Sequence, residues 1–483
     1  MEKLYSLSAT QMKDLLNKKE VTSVEITKSV IDRIEKTDKD INAYISYNFE
    51  TALEQAKAAD EKIAKGEAIS DLTGIPVAVK DNMCTRNLRT TCASKMLGNF
   101  VPPYNATVVE KLLGEGAVII GKTTMDEFAM GSSGENSALQ VARNPWDTSR
   151  IPGGSSSGSA ATVAASQVPF ALGSDTGGSI RQPANFCGIV GMKPTYGSVS
   201  RYGLIAFASS LDQIGPMART VDDTAMLFKA ICGKDDRDAT SKDYTFKPYG
   251  DSVKGLKVGL PKEYFGDGIS AEVKEHVYNA VETLKAQGAE IVEVSLPSTD
   301  YALSAYYIIS SAEASSNLGR FDGVKYGFRG SKSGNIDEIY LSSRSEGFGD
   351  EVQRRIMLGT YVLSSGFYDA YYKKAKVLQR VIAKEFDEAF KSCDVLITPM
   401  TPTSAYKIGE KSNDPLAMYA GDICTVTLNI AGLPGISVPC GFDKTNNMPI
   451  GFQVIGNKFS EDKLLTVAKC YENTVGGFAV KEF

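Results

Sequence analysis

The chain has 483 residues, 42% hydrophobic and 23% charged, the balance of a soluble globular protein with an ample core. A formal net charge of −5 argues against holding nucleic acid by bulk charge. The single histidine, His276, excludes a zinc site of several histidines and is the only residue of its kind open to a Ser-His-Asp triad.

The stretch MEKLYSLSATQMKDLL lacks the apolar region of a signal peptide, and no apolar run reaches the roughly 18 residues of a membrane span. Eight scattered cysteines with no CxxC pair fit reduced thiols, so the expectation is a cytoplasmic protein without a metal site.

In chain order, residues 1–70 read as helices. Ser8 to Gln11 and Thr22 to Glu25 fit the capping-box pattern, and Val24, Ile31 and Ile34 recur at helical spacing. This segment reads as a helical cover on the core, with a partner-binding arm as the alternative. Gly74–Asn82 (GIPVAVKDN) reads as a short buried strand ending at Lys80. Ala106–Glu115 follows as helix, Ala117–Ile120 as strand and Thr124–Met130 as a short helix. Alternation continues to about Ala230, which argues for an α/β fold. Asp235–Asp238 is a polar surface break. Leu256–Leu260, Ser270–Gln287 and Glu290–Val294 then form strand, helix and strand, and His276 on that helix reads as solvated. Residues 303–390 are mostly helical, Val395–Thr398 is a strand, Asn429–Pro439 leads into further strand, and Leu464–Glu472 is a closing helix. No internal repeat or long linker interrupts the chain, so one large domain is expected. Its parts are a helical segment (1–70), a catalytic core (71–230) and the remainder of the sheet with pocket helices (231–483).

Two motifs match a pattern without its context. Gly116–Thr123 (GAVIIGKT) fits the P-loop, yet its four intervening residues are themselves a strand and cannot curl around a phosphate. Gly154–Gly158 (GSSSG) fits the hydrolase nucleophile elbow, yet no good strand enters it and the one histidine reads as a surface residue.

A serine nucleophile needs a base, and Lys80 is the best candidate because desolvation at the end of an apolar strand favours its neutral form. Bringing such a lysine from about 10.4 to near 7 takes roughly 4–5 kcal/mol of differential stabilisation, which requires a well-buried site. A second serine can relay the proton, since a hydroxyl donates and accepts at once. The stretch Arg150–Pro194 offers Ser155 in one glycine-serine loop and Ser179 in another. Asp175–Ser179 (DTGGS) is the better nucleophile loop, because its glycines leave backbone amides bare ahead of a helix start at Ser179–Ala184.

Gly153–Ala161, Gly173–Ala184 and the Lys80 segment together resemble the amidase signature family. The resemblance implies a mixed sheet covered by helices on both faces. It also implies a Ser–cis-Ser–Lys triad of Ser179 as nucleophile, Ser155 as the cis serine and Lys80 as base. Ser156 and Ser157 do not fit the register. Oxyanion amides would come from Thr176, Gly177, Gly178 and Ser179. Ser311–Gly323, Arg354–Thr360, Ser364–Lys373 and Asn429–Ser437 resemble the branch of glutaminase subunits of tRNA-dependent amidotransferases. That likeness implies glutamine as substrate, held by Arg355 and Asp422, with Tyr306 or its neighbour Tyr307 beside them. It further implies two partners: a tRNA-binding subunit, through which charged tRNA is met, and a small third subunit. No cofactor is expected in this chain, with ATP and magnesium used by the tRNA-binding partner. A free-standing amidase of a small carboxamide is the alternative.

Overall fold

One eleven-stranded sheet runs through the chain. Its strands are β1 (Tyr44–Tyr47), β2 (Pro76–Lys80), β3 (Val118–Thr123), β4 (Phe170–Asp175), β5 (Val190–Lys193), β6 (Gln213–Ala218), β7 (Lys257–Pro261), β8 (Glu290–Val294), β9 (Val395–Pro399), β10 (Gly435–Phe442) and β11 (Pro449–Gly456). They lie in the order β1-β3-β2-β4-β6-β5-β10-β11-β9-β7-β8. The pairs β2/β3, β2/β4, β7/β8 and β7/β9 are parallel and the rest antiparallel, so the sheet is mixed. The computed structural model describes residues 3–67, 69–332, 334–412 and 414–481.

Side chains alternate across a strand, and here the two faces serve two cores. Val77, Val79, Ile119, Phe170, Leu172 and Ile214 point into one, with Met12, Leu112, Phe228 and Val277 from covering helices. Ala78, Val118, Ile120, Ala171 and Met217 point into the other, closed by Val30, Ile34, Ala52, Ala56 and Ala161. Helices therefore cover both faces of a single α/β domain. The helix Ser157–Ala164 is all small residues because it lies close to backbone: a Cβ on Gly158 would stand 2.2 Å from the Ala43 carbonyl oxygen.

Both capping boxes form, at Ser8 and Thr22, and start the helices Ala9–Asn17 and Ser23–Ile41. The amino-terminal segment is not wholly helical: β1 pairs with β3 at the sheet edge. Thr124–Met130 is no helix but a single 3-10 turn, Glu127–Ala129, since Phe128 and Ala129 take positive φ of 48° and 62°. His276 is half-buried rather than freely solvated. It faces the inner side of the helix Ala271–Ala286, and its Nε2 lies 3.1 Å from the Phe442 carbonyl oxygen. In the P-loop-like segment, Val118–Thr123 is strand, and Lys122 is buried with its amine on the Met83 carbonyl (2.6 Å) and the Thr90 hydroxyl (2.7 Å). Among the described residues no helix is long and apolar enough to cross a membrane, and none of the cysteines is in a disulfide.

Leu172 on β4 is wholly buried in the larger core. Leu172→Ala is expected to lower the unfolding free energy by about 2–5 kcal/mol, read from the denaturant midpoint.

Candidate active site

Strand β2 delivers Lys80 at its carboxyl end, fully buried. Its amine reaches Ser155 Oγ at 2.8 Å, Ser156 Oγ at 2.9 Å and Ser174 Oγ at 2.9 Å, with the Ser174 carbonyl at 3.2 Å. Asn82 Nδ2 donates to the same Ser174 hydroxyl at 2.9 Å. Burial pushes the lysine down to about 7, against Asp126, Asp175 and Asp212, whose charges pull it up. An amine poised there can take a proton from Ser155 and return it near neutral pH.

Ser155 follows a cis Gly154–Ser155 peptide bond. Asp126 holds this loop from behind. Its amide donates to the Ser155 carbonyl at 3.2 Å, and a Cβ on Gly154 would stand 2.0 Å from its carboxylate. That carboxylate accepts the Gly134 and Asn136 amides, both at 3.0 Å, and burial raises it to about 7. On the other side, the Gly154 amide donates to Gln182 Oε1 at 3.0 Å. The two serine loops are joined directly, because the Ser156 amide donates to the Ser179 carbonyl at 3.2 Å.

The Ser179 loop is shaped by Asp175, which ends β4. Its carboxylate accepts the Gly178 amide (2.8 Å), the Ile180 amide (3.1 Å) and the Arg181 guanidinium (3.0 Å). Burial alone would raise this carboxyl. Arg181, with Lys193 and Asn429, outweighs it and holds the group at about 2. Arg181 is itself fully buried and donates to Asn429 Oδ1 at 2.8 Å and to the Thr425 carbonyl at 3.2 Å. The Gly178 amide is thus turned to Asp175 and is not available to an oxyanion, a correction to the expected set. Among the described residues the amides of Thr176, Gly177 and Ser179 have no partner. The helix after the loop begins at Arg181, two residues later than expected, because Asp175 holds the turn open through Ile180.

Beyond that loop, Arg355 is 3% exposed, on the inner face of the helix Asp350–Leu363, whereas the side chain of Arg354 is 45% exposed. Arg355 Nε donates to Glu351 at 2.7 Å. Its guanidinium carbon lies 4.5 Å from the Tyr307 ring centroid, and the Tyr307 hydroxyl donates to Asp422 at 2.7 Å. Burial lifts the Asp422 carboxyl to about 6, against Tyr307, Arg355 and Ser132. Of the two candidate tyrosines, Tyr307 is the one bonded to Asp422. Tyr306 faces the nucleophile loop, where a Cβ on Gly177 would stand 2.6 Å from its hydroxyl. Thr425, three residues after Asp422, bonds the Gly177 carbonyl, so pocket and loop form one site.

The profile of the family described as Amidase matches residues 25–465. The chain belongs to the Amidase family. Among curated amidases it is 58% identical over 474 residues to the A subunit of the glutamyl-tRNA(Gln) amidotransferase of Caldanaerobacter subterraneus subsp. tengcongensis, covering 97% of this chain and 96% of that one. It is 56% identical over 478 residues to the protein of the same name from Heliobacterium modesticaldum, covering 98% of each. The crystal structure of the corresponding Thermotoga maritima protein superposes with a TM-score of 0.81 at 41% identity, over 99% of this chain and 98% of that one.

The structure brings the expected Lys80 and Ser155 together and joins the Ser155 and Ser179 loops, with supports that the sequence did not reveal. Ser156 and Ser174 share the lysine amine, and Asp126 and Arg181 set the two loops. Arg181 was open to reading, since an arginine six residues after Asp175 in an apolar stretch needs a charged partner.

The pH dependence has a definite sign. A base with its pKa lowered to about 7 gains its neutral form as pH rises through that value, and Asp126 titrates in the same range, so the step belongs to the pair. The kcat for amide hydrolysis is expected to climb with pH through an apparent pKa near 7 and then level, in initial-rate measurements of ammonia release. If Asp422 holds an α-ammonium, its protonation below about 6 is expected to raise KM for a substrate bearing that group.

Proposed function

We propose that the chain is the glutamine-hydrolysing subunit of a tRNA-dependent amidotransferase. The observation that carries this reading is the pairing of a buried guanidinium, Arg355, with a buried carboxylate, Asp422, at the rim of a serine loop. An α-amino acid offers the complement of both: a carboxylate for the Arg355 fork and an ammonium for Asp422. Glutamine then presents its side-chain amide to Ser179. The names of the relatives point to an amidotransferase and to an acceptor, glutamyl-tRNA(Gln).

In this reading neutral Lys80 draws a proton from Ser155 while Ser155 takes that of Ser179. Ser179 Oγ attacks the amide carbon, and the amides of Thr176, Gly177 and Ser179 meet the charge that develops on oxygen. Collapse returns the proton to the leaving nitrogen, frees ammonia and leaves an ester on Ser179. Water attacks that ester by the same relay and releases glutamate. The ammonia passes to a companion chain, the tRNA-binding subunit, which holds the charged tRNA and uses ATP and magnesium. A small third subunit makes up the assembly. The net charge of −5 agrees with leaving the tRNA to another chain.

Ser179→Ala is expected to abolish ammonia release from every amide in the assembled complex. Arg355→Ala is expected to abolish hydrolysis of glutamine while sparing a neutral amide such as butanamide. Survival of both activities in Arg355→Ala sinks the glutamine assignment, and survival in Ser179→Ala sinks the mechanism. Mass spectrometry of the natively purified protein should find two companion subunits. A homo-oligomer active alone selects the free-standing amidase.

A further inference from the structure

Arg355 does not stand in its pocket unaided. Glu351, one helical turn earlier, takes its Nε at 2.7 Å, and the same Glu351 oxygen accepts the Tyr419 hydroxyl at 2.8 Å. The Tyr419 ring stacks on Tyr307 with centroids 4.1 Å apart and planes at 27°. The Arg355 guanidinium lies against both rings, 4.5 Å from the Tyr307 centroid and 5.0 Å from that of Tyr419. Glu351 is 5% exposed, so this is no solvated helix pair. Arg354, on the outside, bonds the second Glu351 oxygen and fixes the carboxylate from behind.

Tyr419 belongs to the short helix Pro415–Ala420, whose Leu416 is 76% exposed, and the chain reaches Asp422 three residues after Tyr419. Two cross-links therefore close one segment over the pocket: Tyr419 to Glu351, and Asp422 to Tyr307. An unanchored arginine samples many rotamers and must give up that freedom on binding, whereas a guanidinium fixed through Nε against two rings leaves its terminal edge already aimed.

We propose that Glu351 and Tyr419 are positioning residues that aim the terminal edge of Arg355, and so set the preference of this site for amides that carry an α-carboxylate. The inference rests on the glutamine reading above. It has a sign that simple charge would not give. Removing the Glu351 carboxylate leaves Arg355 with less neighbouring negative charge, which by Coulomb attraction alone tightens the hold on an anionic substrate. Loss of aim does the reverse.

The test compares glutamine with butanamide in the complex as purified, for Glu351→Ala and Tyr419→Phe. Glu351→Ala is expected to raise KM for glutamine at least about tenfold with kcat within roughly threefold, and to leave kcat/KM for butanamide within about twofold. Tyr419→Phe keeps the stacked ring and loses one hydroxyl, so it should shift KM the same way by a smaller factor. An unchanged or lowered KM for glutamine overturns the proposal, as does an equal loss with both amides, which is what a merely structural ion pair gives. If Glu351→Ala does not fold, Tyr419→Phe decides alone. Failure of the glutamine reading itself is separate, because the unmodified complex then hydrolyses no glutamine.

Discussion

The Lys80 amine lies wholly out of water, and the rest of the site answers to that one desolvated group. An ammonium there loses its hydration, and three serine hydroxyls are a poor substitute for it. Three nearby carboxylates pull toward the charged form without outweighing that loss, because each is also held by other partners. Asp175 is neutralised by Arg181, Asp212 accepts the Thr176 hydroxyl and the amides of Phe207 and Ala208, and Asp126 accepts two loop amides. Desolvation then wins, and the lysine rests near 7.

The same carboxylates shape the backbone. Asp175 turns the Gly178 amide away from the substrate side while leaving its neighbours bare, and Asp126 backs the Gly154–Ser155 peptide. Each is a buried acid with a structural duty and an electrostatic one. This coupling explains why Arg181, which touches neither serine hydroxyl, is buried at the centre of five hydrogen-bond acceptors from three parts of the chain. Without it, Asp175 would act as an unpaired anion on the base and would drop the loop it holds.

Much of this was legible in the residues. The apolar run Pro76–Val79 announces a buried strand, and a lysine at its end is anomalous enough to mark a base. The capping boxes at Ser8 and Thr22 follow from local chemistry alone. What stayed hidden depends on distance in space. Nothing in the run Ser155–Ser157 tells that Ser156 also meets the amine, because the turn that folds the second hydroxyl inward comes from contacts with another loop. Tyr306 and Tyr307 differ by one position on a helix, and only the place of Asp422 separates their roles. The charged neighbours of His276 suggest a solvated residue, while its own face of the helix lies on β10.

The order of the chain separates two tasks. In the reading proposed above, the groups that act on the bond, Lys80, Ser155 and Ser179, and their supports Asp126 and Arg181 lie within residues 80–181, at the end of β2 and in the segments that follow β3 and β4. In the same reading, the groups that meet the substrate, Arg355, Asp422 and Tyr307, and the positioning residues Glu351 and Tyr419 lie within residues 307–422, on helices and turns outside the sheet. They meet through a few contacts, such as Thr425 on the Gly177 carbonyl. A fold divided in this way can exchange its reading groups while the reacting ones stand still. One reaction centre becomes a chassis for many appetites.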